Sequence, residues 1–315
     1  MLEDVMHRND NLRGAALMAA AACIFAFEAI LVRIMIARGI PVEVQVLFRA
    51  LGQAVWVAPF VAAAGRTAFA TRRLPLHLLR GLCSAATWGF YYWSFTYLDL
   101  ATATVLSFTN VMFTTLLAGA LLGERVGPAR WAGTLAGFLG VAVMLRPGAD
   151  VPLAGAVIAI AAALCWCGIT LTTRSLTRTD STTTILAWLS LVVVAGSLPL
   201  ALAAWQPLGW ADLAWLAGFA LVCPGIIWLV TEALRAGEAS AVAPFQYLRL
   251  ILIAAAAWAL YGEVPDGWAW LGAGFILGGA VIITVAETRP ASQAQLRPEL
   301  RPELRPRGSS GTTRP

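Results

Sequence analysis

The chain has no lysine. All 22 basic residues are arginine, and charged residues of both signs make up only 12% of the 315 positions, about half the share usual in soluble domains. That excludes an ordinary water-soluble domain. Histidine is nearly as scarce: His7 and His77 stand 70 residues apart, without the spacing of a metal site. There is no Gly-x-Ser-x-Gly elbow and no Walker loop, so the chain shows no motif for enzyme chemistry or for direct ATP-driven transport. The five cysteines (Cys23, Cys83, Cys165, Cys167 and Cys223) are odd in number and all lie in apolar runs. They read as small packing residues, with neither a disulfide frame nor a metal cage. No cofactor is expected.

What the chain has in abundance is apolar sequence. Hydrophobic residues make up 59%, and a helix needs about 20 such residues to cross a hydrocarbon core of about 30 Å. Ten runs qualify, at about 14–37, 42–64, 75–97, 101–122, 128–146, 152–172, 183–205, 210–235, 239–261 and 267–286. The expected fold class is an all-α integral membrane protein with ten transmembrane helices. The polar residues 1–13 precede a first run too long for a signal-peptide core, so that run reads as an uncleaved span. Residues 288–315, with tandem Arg-Pro-Glu-Leu units, read as a disordered cytoplasmic tail.

The arginines give the orientation. With the N-terminus in the cytoplasm, the inner segments hold Arg8, Arg13, Arg66, Arg72, Arg73, Arg125, Arg130, Arg174, Arg178, Arg235 and the tail arginines. The outer loops hold only Arg38 and Arg146. This is the positive-inside pattern. It predicts both termini in the cytoplasm of a bacterial inner membrane, with lipids as partners. The net charge of +5 then reflects membrane insertion and not nucleic-acid binding.

One stretch is written twice. An offset of 139 carries Gly123-Glu124 to Gly262-Glu263, Trp131 to Trp270, Gly133 to Gly272 and Gly140 to Gly279. At an offset of 141, Gly14-Ala15 matches Gly155-Ala156 and Arg33 matches Arg174. The repeats span 14–148 and 149–287, five spans each, and an odd number of spans inverts the second against the first. The Glu124 turn is expected inside and the Glu263 turn outside. Inverted repeats place a shared site near the bilayer midplane.

The blocks LATATVLSFTNVMFTTLLAGALLGERVGPARWAGTLAGFLGVAVMLRPG (Leu100–Gly148) and GEASAVAPFQYLRLILIAAAAWALYGEVPDGWAWLGAGFILGGAVII (Gly237–Ile283) carry a family likeness. Each pairs a polar-start helix, Gly-Glu and a Gly-rich last helix, and in this the chain resembles the EamA branch of the drug/metabolite transporter superfamily. The resemblance implies a carrier of small organic solutes: amino acids, drugs, vitamins or nucleoside-type metabolites such as S-adenosylmethionine. Arg249 departs from the general pattern.

Laying the repeats together aligns Ser107 with Gln246 and Asn110 with Arg249, each pair spaced i, i+3 and therefore on one helix face. This face either holds a solute or bonds neighbouring helices, with Tyr247 beside it. An arginine at mid-membrane depth must be paired or face water, so Arg249 either binds a substrate anion or balances an acidic side chain. Glu28 and Arg49 lie at similar depths in spans 1 and 2. They form an ion pair, or else Glu28 carries a coupling proton or receives a substrate ammonium. Arg33, further out, is expected to snorkel to the interface. Trp88, Tyr91, Tyr92 and Phe95 share a face by spacing, either lining a pocket with Trp166 or belonging to the aromatic belt. Pro59, Pro199, Pro224 and Pro244 are hinge candidates. The residues suit a secondary transporter of amino acids or related zwitterions working by alternating access. The alternatives are an uptake carrier for a vitamin or nucleoside-type metabolite, a channel, or a membrane protein that transports nothing.

Overall fold

The computed structural model describes residues 2–122, 127–145, 151–236, 245 and 247–288. These form twelve α-helices with one short 3-10 turn and, among the described residues, no strand. In chain order they are α1 (Leu2–Ala37), α2 (Val42–Ala64), α3 (Leu74–Ser94), α4 (Leu100–Ser107), α5 (Asn110–Leu122) and α6 (Pro128–Met144). Then follow α7 (Leu153–Leu176), α8 (Thr182–Ala203), α9 (Trp210–Val222), α10 (Gly225–Ala236), α11 (Leu248–Tyr261) and α12 (Gly267–Thr288). The Glu124 turn, Pro244, Gln246 and the tail beyond residue 288 lie outside the described residues.

The protein is an all-α membrane protein. Six stretches have the length and apolar composition of a membrane span: Leu12–Ala37, Val42–Phe69, Leu100–Leu117, Leu153–Thr173, Thr182–Ala203 and Trp210–Val230. Trp131–Met144, Leu248–Tyr261 and Gly267–Ile283 are apolar but shorter. The expected ten uniform spans are therefore not what the helices present. The helix α3 has the length of a span but carries His77 and Arg80, both buried. Outward faces are apolar, with Leu135, Leu139, Leu200 and Leu221 all exposed, which suits contact with lipid and not with water.

Two expected continuous helices are broken. The fourth run splits at Phe108–Thr109 into α4 and α5, and the eighth splits at Cys223–Pro224 into α9 and α10. At the first break, Thr104, Ser107 and Thr109 turn their hydroxyls onto the carbonyls of Leu100, Thr104 and Leu106, each at 2.7 Å. Such local bonds compete with a regular helix. At the second, Pro224 supplies no N–H. Pro59 and Pro199, by contrast, sit inside unbroken α2 and α8.

Helix pairing positions the centre. The closest partners are α3 with α7 and α8, α1 with α10 and α11, α2 with α8, and α6 with α12. Between α6 and α12 the approach is backbone to backbone: a Cβ on Gly133 would lie 2.7 Å from the Gly279 carbonyl oxygen, and one on Gly140 2.6 Å from that of Gly272. The two helices run antiparallel. The Gly-Glu signature also has a local cause. Gly262 adopts a left-handed φ of 67°, which only glycine adopts freely. It ends α11, its N–H bonding Trp258 O at 3.0 Å. Glu263 is thereby turned back towards α1 and α4.

Candidate functional site

Helix α1 carries Phe25 and Glu28 on one face, one turn apart. The adjoining α2 brings Arg49 to the same depth, and its Nε donates to Glu28 Oε1 at 2.9 Å. The Glu28 side chain is only 2% exposed and that of Arg49 only 4%. Tyr92 of α3 donates its hydroxyl to the same Glu28 oxygen. Arg49 also lies flat over the Trp88 ring, its guanidinium carbon 3.4 Å from the ring centroid. Charges taken out of water this completely require such partners. Even so, Glu28 Oε2 and Arg49 Nη2 remain without a hydrogen bond.

A second buried guanidinium stands nearby. Arg249, near the start of α11, is 8% exposed, and its guanidinium carbon lies 4.8 Å from the Phe25 ring centroid and 4.2 Å from that of Phe108. Phe108 in turn meets Tyr247 at 5.1 Å between centroids. Arg249 Nε has no hydrogen-bond partner, and among the described residues no carboxylate forms an ion pair with it.

Phe25 joins these two charge sites. Its ring stacks on Trp88 at 6.1 Å and meets Trp166 of α7 at 6.4 Å, with Trp88 and Trp166 themselves 5.6 Å apart. A continuous series of rings and cations therefore runs Arg49, Trp88, Phe25, Arg249, Phe108, Tyr247. Tyr91 flanks it, its hydroxyl 3.1 Å from Thr104 Oγ1. The larger clefts, of about 410 and 480 Å³, are on outward faces, one along α11 and α12 and one between α1 and α9. Neither is lined by Arg49 or Arg249.

The end of the bundle at the α11–α12 turn is cross-linked by side chains. Arg33 Nη2 bonds Glu263 Oε1 at 3.2 Å and Nη1 bonds the carbonyls of Phe95 and Leu98. The other Glu263 oxygen accepts the Leu100 N–H at 3.2 Å. Arg33 thus reaches the helix ends at the α3–α4 connection and the α11–α12 turn. Beside it, Arg38 pairs with Asp212 at 2.7 Å.

The model of the EamA-like transporter family matches residues 12–146 and again 153–285. The chain belongs to this family. Among EamA-like relatives, a riboflavin transporter of Vibrio cholerae is 31% identical over 286 residues, 90% of this chain and 96% of that protein. An S-adenosylmethionine uptake transporter of Rickettsia prowazekii is 31% identical over 249 residues, 78% of this chain and 83% of that one. A crystal structure of 22% identity superposes with a TM-score of 0.53, covering 85% of this chain and 97% of the other; that likeness concerns the fold alone. As a member of the EamA-like family, the protein is a transporter and not an enzyme.

Of the residues singled out from sequence, Glu28, Arg49, Trp88, Tyr92, Trp166, Arg249 and Tyr247 come together at this centre of the EamA-like fold. Ser107 and Asn110 do not share one continuous helix face. They flank the α4–α5 break, where Asn110 Nδ2 donates to the Ser107 carbonyl at 2.8 Å. Gln246 lies outside the described residues. Phe25 and Phe108 are central residues that sequence reasoning missed. Phe25 stands three residues before Glu28 and Phe108 between Ser107 and Asn110, and their spacing from those polar residues is the signal that could have found them.

Proposed function

We propose that the protein is a secondary carrier that takes up a vitamin or nucleoside-type metabolite with a planar ring. In this reading two inverted five-helix repeats, ten spans in all, alternate access to the Arg49–Arg249 centre from either side of the cytoplasmic membrane, with both termini inside. The observation that carries it is the aromatic series from Trp88 to Tyr247, interleaved with two buried guanidiniums. A flat heterocycle can replace a ring-on-ring or ring-on-guanidinium contact with an equivalent one. The relatives named for riboflavin and S-adenosylmethionine support the same chemistry, since both molecules contain such a ring. The helix breaks at Phe108–Thr109 and Cys223–Pro224 are the natural points of flexure.

Amino acids fit less well. A zwitterion needs a carboxylate for its ammonium, and Glu28 already receives Arg49 and Tyr92. Thermal unfolding of the purified protein with riboflavin, S-adenosylmethionine and a panel of amino acids tests the reading, because a true ligand stabilises the folded state. Stabilisation by either ring-bearing compound is expected; stabilisation by amino acids alone overturns the reading.

A further inference from the structure

The three buried charges of the centre do not balance. Glu28 contributes one negative charge and is matched by Arg49 at 2.9 Å, which leaves Arg249 as an additional cation. A charge at such depth costs about 2.5–3.5 kcal/mol on insertion scales. The fold offers Arg249 two ring faces, at 4.8 and 4.2 Å, and leaves Nε unbonded although it is buried. Rings stabilise a guanidinium above and below its plane, whereas its N–H groups point outward in that plane and require acceptors. No carboxylate among the described residues answers them.

We infer that Arg249 determines specificity: it donates in its own plane to acceptor oxygens or nitrogens on the edge of the transported ring, and so selects uncharged or anionic planar heterocycles over cationic ones. This rests on the reading of the protein as a ring-metabolite carrier and sharpens it. The substrate slides beside Arg249 between the Phe25 and Phe108 levels, its acceptor edge meeting the guanidinium and its ring face meeting Trp88 or Trp166. A uracil-like edge with two carbonyls matches the flat fork of arginine. A sulfonium or ammonium near the same place meets an uncompensated positive charge. Of the two ring-bearing compounds suggested by the relatives, neutral riboflavin satisfies this condition and the sulfonium of S-adenosylmethionine does not.

The test is initial uptake of tritiated riboflavin and tritiated S-adenosylmethionine into proteoliposomes holding the full chain, as wild type, R249Q and R249K. Wild type is expected to prefer riboflavin. R249Q should raise the riboflavin KM by about 10- to 100-fold, the usual worth of a hydrogen bond to a charged group. It should also narrow the preference over S-adenosylmethionine, while R249K retains part of it. A preference for S-adenosylmethionine in wild type, or the same preference ratio in R249Q as in wild type, overturns the inference and leaves the carrier reading standing. Wild-type liposomes that take up neither compound overturn the carrier reading itself. A measurement on wild type alone covers the case of a variant that does not fold. Neutral lumichrome should inhibit riboflavin uptake at least about 10-fold more strongly than cationic acriflavine, by one lost charge-assisted bond; the reverse order contradicts the inference.

Discussion

Gly133 of α6 rests against Gly279 of α12, and Gly140 of α6 against Gly272 of α12. The 139-residue offset of the repeats carries Gly133 to Gly272 and Gly140 to Gly279, so the contact is its own image when the two halves are exchanged. That self-complementarity is the mark of a two-fold interface. The remaining helix pairs behave likewise: α3 with α7 becomes α10 with α1, and α2 with α8 returns itself.

The glycine contact makes a clear stability prediction. Gly133→Leu forces a side chain into the Gly279 backbone and should destabilise by about 1–3 kcal/mol or more, the usual cost of overpacking. Gly278 lies inside α12 and faces open space, so Gly278→Ala should be neutral to stabilising, by up to about 1 kcal/mol, because alanine is the better helix former. Denaturant or thermal unfolding in detergent micelles reads both.

The Glu28–Arg49 pair predicts non-additivity. Glu28→Gln leaves a buried guanidinium without its counter-charge, a loss of about 3–5 kcal/mol for a pair of this burial. The double variant Glu28→Gln/Arg49→Gln should lose less than the sum of the two single losses. A separate readout addresses coupling: if Glu28 carries a proton, an imposed pH gradient should drive uptake by wild type but not by Glu28→Gln, and equal flux removes Glu28 from coupling.

Arg33 and Glu263 predict a change in state. Their side chains are part-exposed, at 26% and 18%, so the ion pair itself is worth about 1 kcal/mol at most. That is enough to shift an equilibrium between closed and open outer ends by about 5-fold. Glu263→Gln should therefore raise, by up to about 5-fold, the rate at which a cysteine placed at Ala101 is labelled from the aqueous side facing the α11–α12 turn.

Trp166 faces Trp88 and Phe25 at the centre. Trp166→Leu removes one ring wall and should raise the KM for riboflavin by about 2- to 10-fold, the worth of one aromatic contact. Maximal flux should change little.

Much of this arrangement is legible in the sequence, for physical reasons that differ by residue. Glu28 and Arg49 can be paired on paper because two consecutive helices joined by a short turn bring residues equally far from that turn to similar depth, and long side chains then span the gap. The Gly-Glu signature is legible because a left-handed turn at Gly262 has few other solutions. Phe25 and Phe108 escape notice because in a chain that is 59% hydrophobic one more aromatic carries no contrast. The Ser107–Asn110 face is misread because the test of shared spacing assumes an unbroken helix, whereas α4 ends at Ser107 and α5 begins at Asn110. The partners of Arg33 are not legible because they lie 62 to 230 residues away in sequence.

Counterflow is the most direct measurement of the central claim. Proteoliposomes preloaded with unlabelled riboflavin should accumulate tritiated riboflavin transiently, saturably and faster than empty ones, and Trp88→Leu should abolish the overshoot. A linear, unsaturated flux indifferent to the internal load, or an overshoot untouched by Trp88→Leu, would contradict a carrier whose substrate sits in the ring series between Arg49 and Arg249.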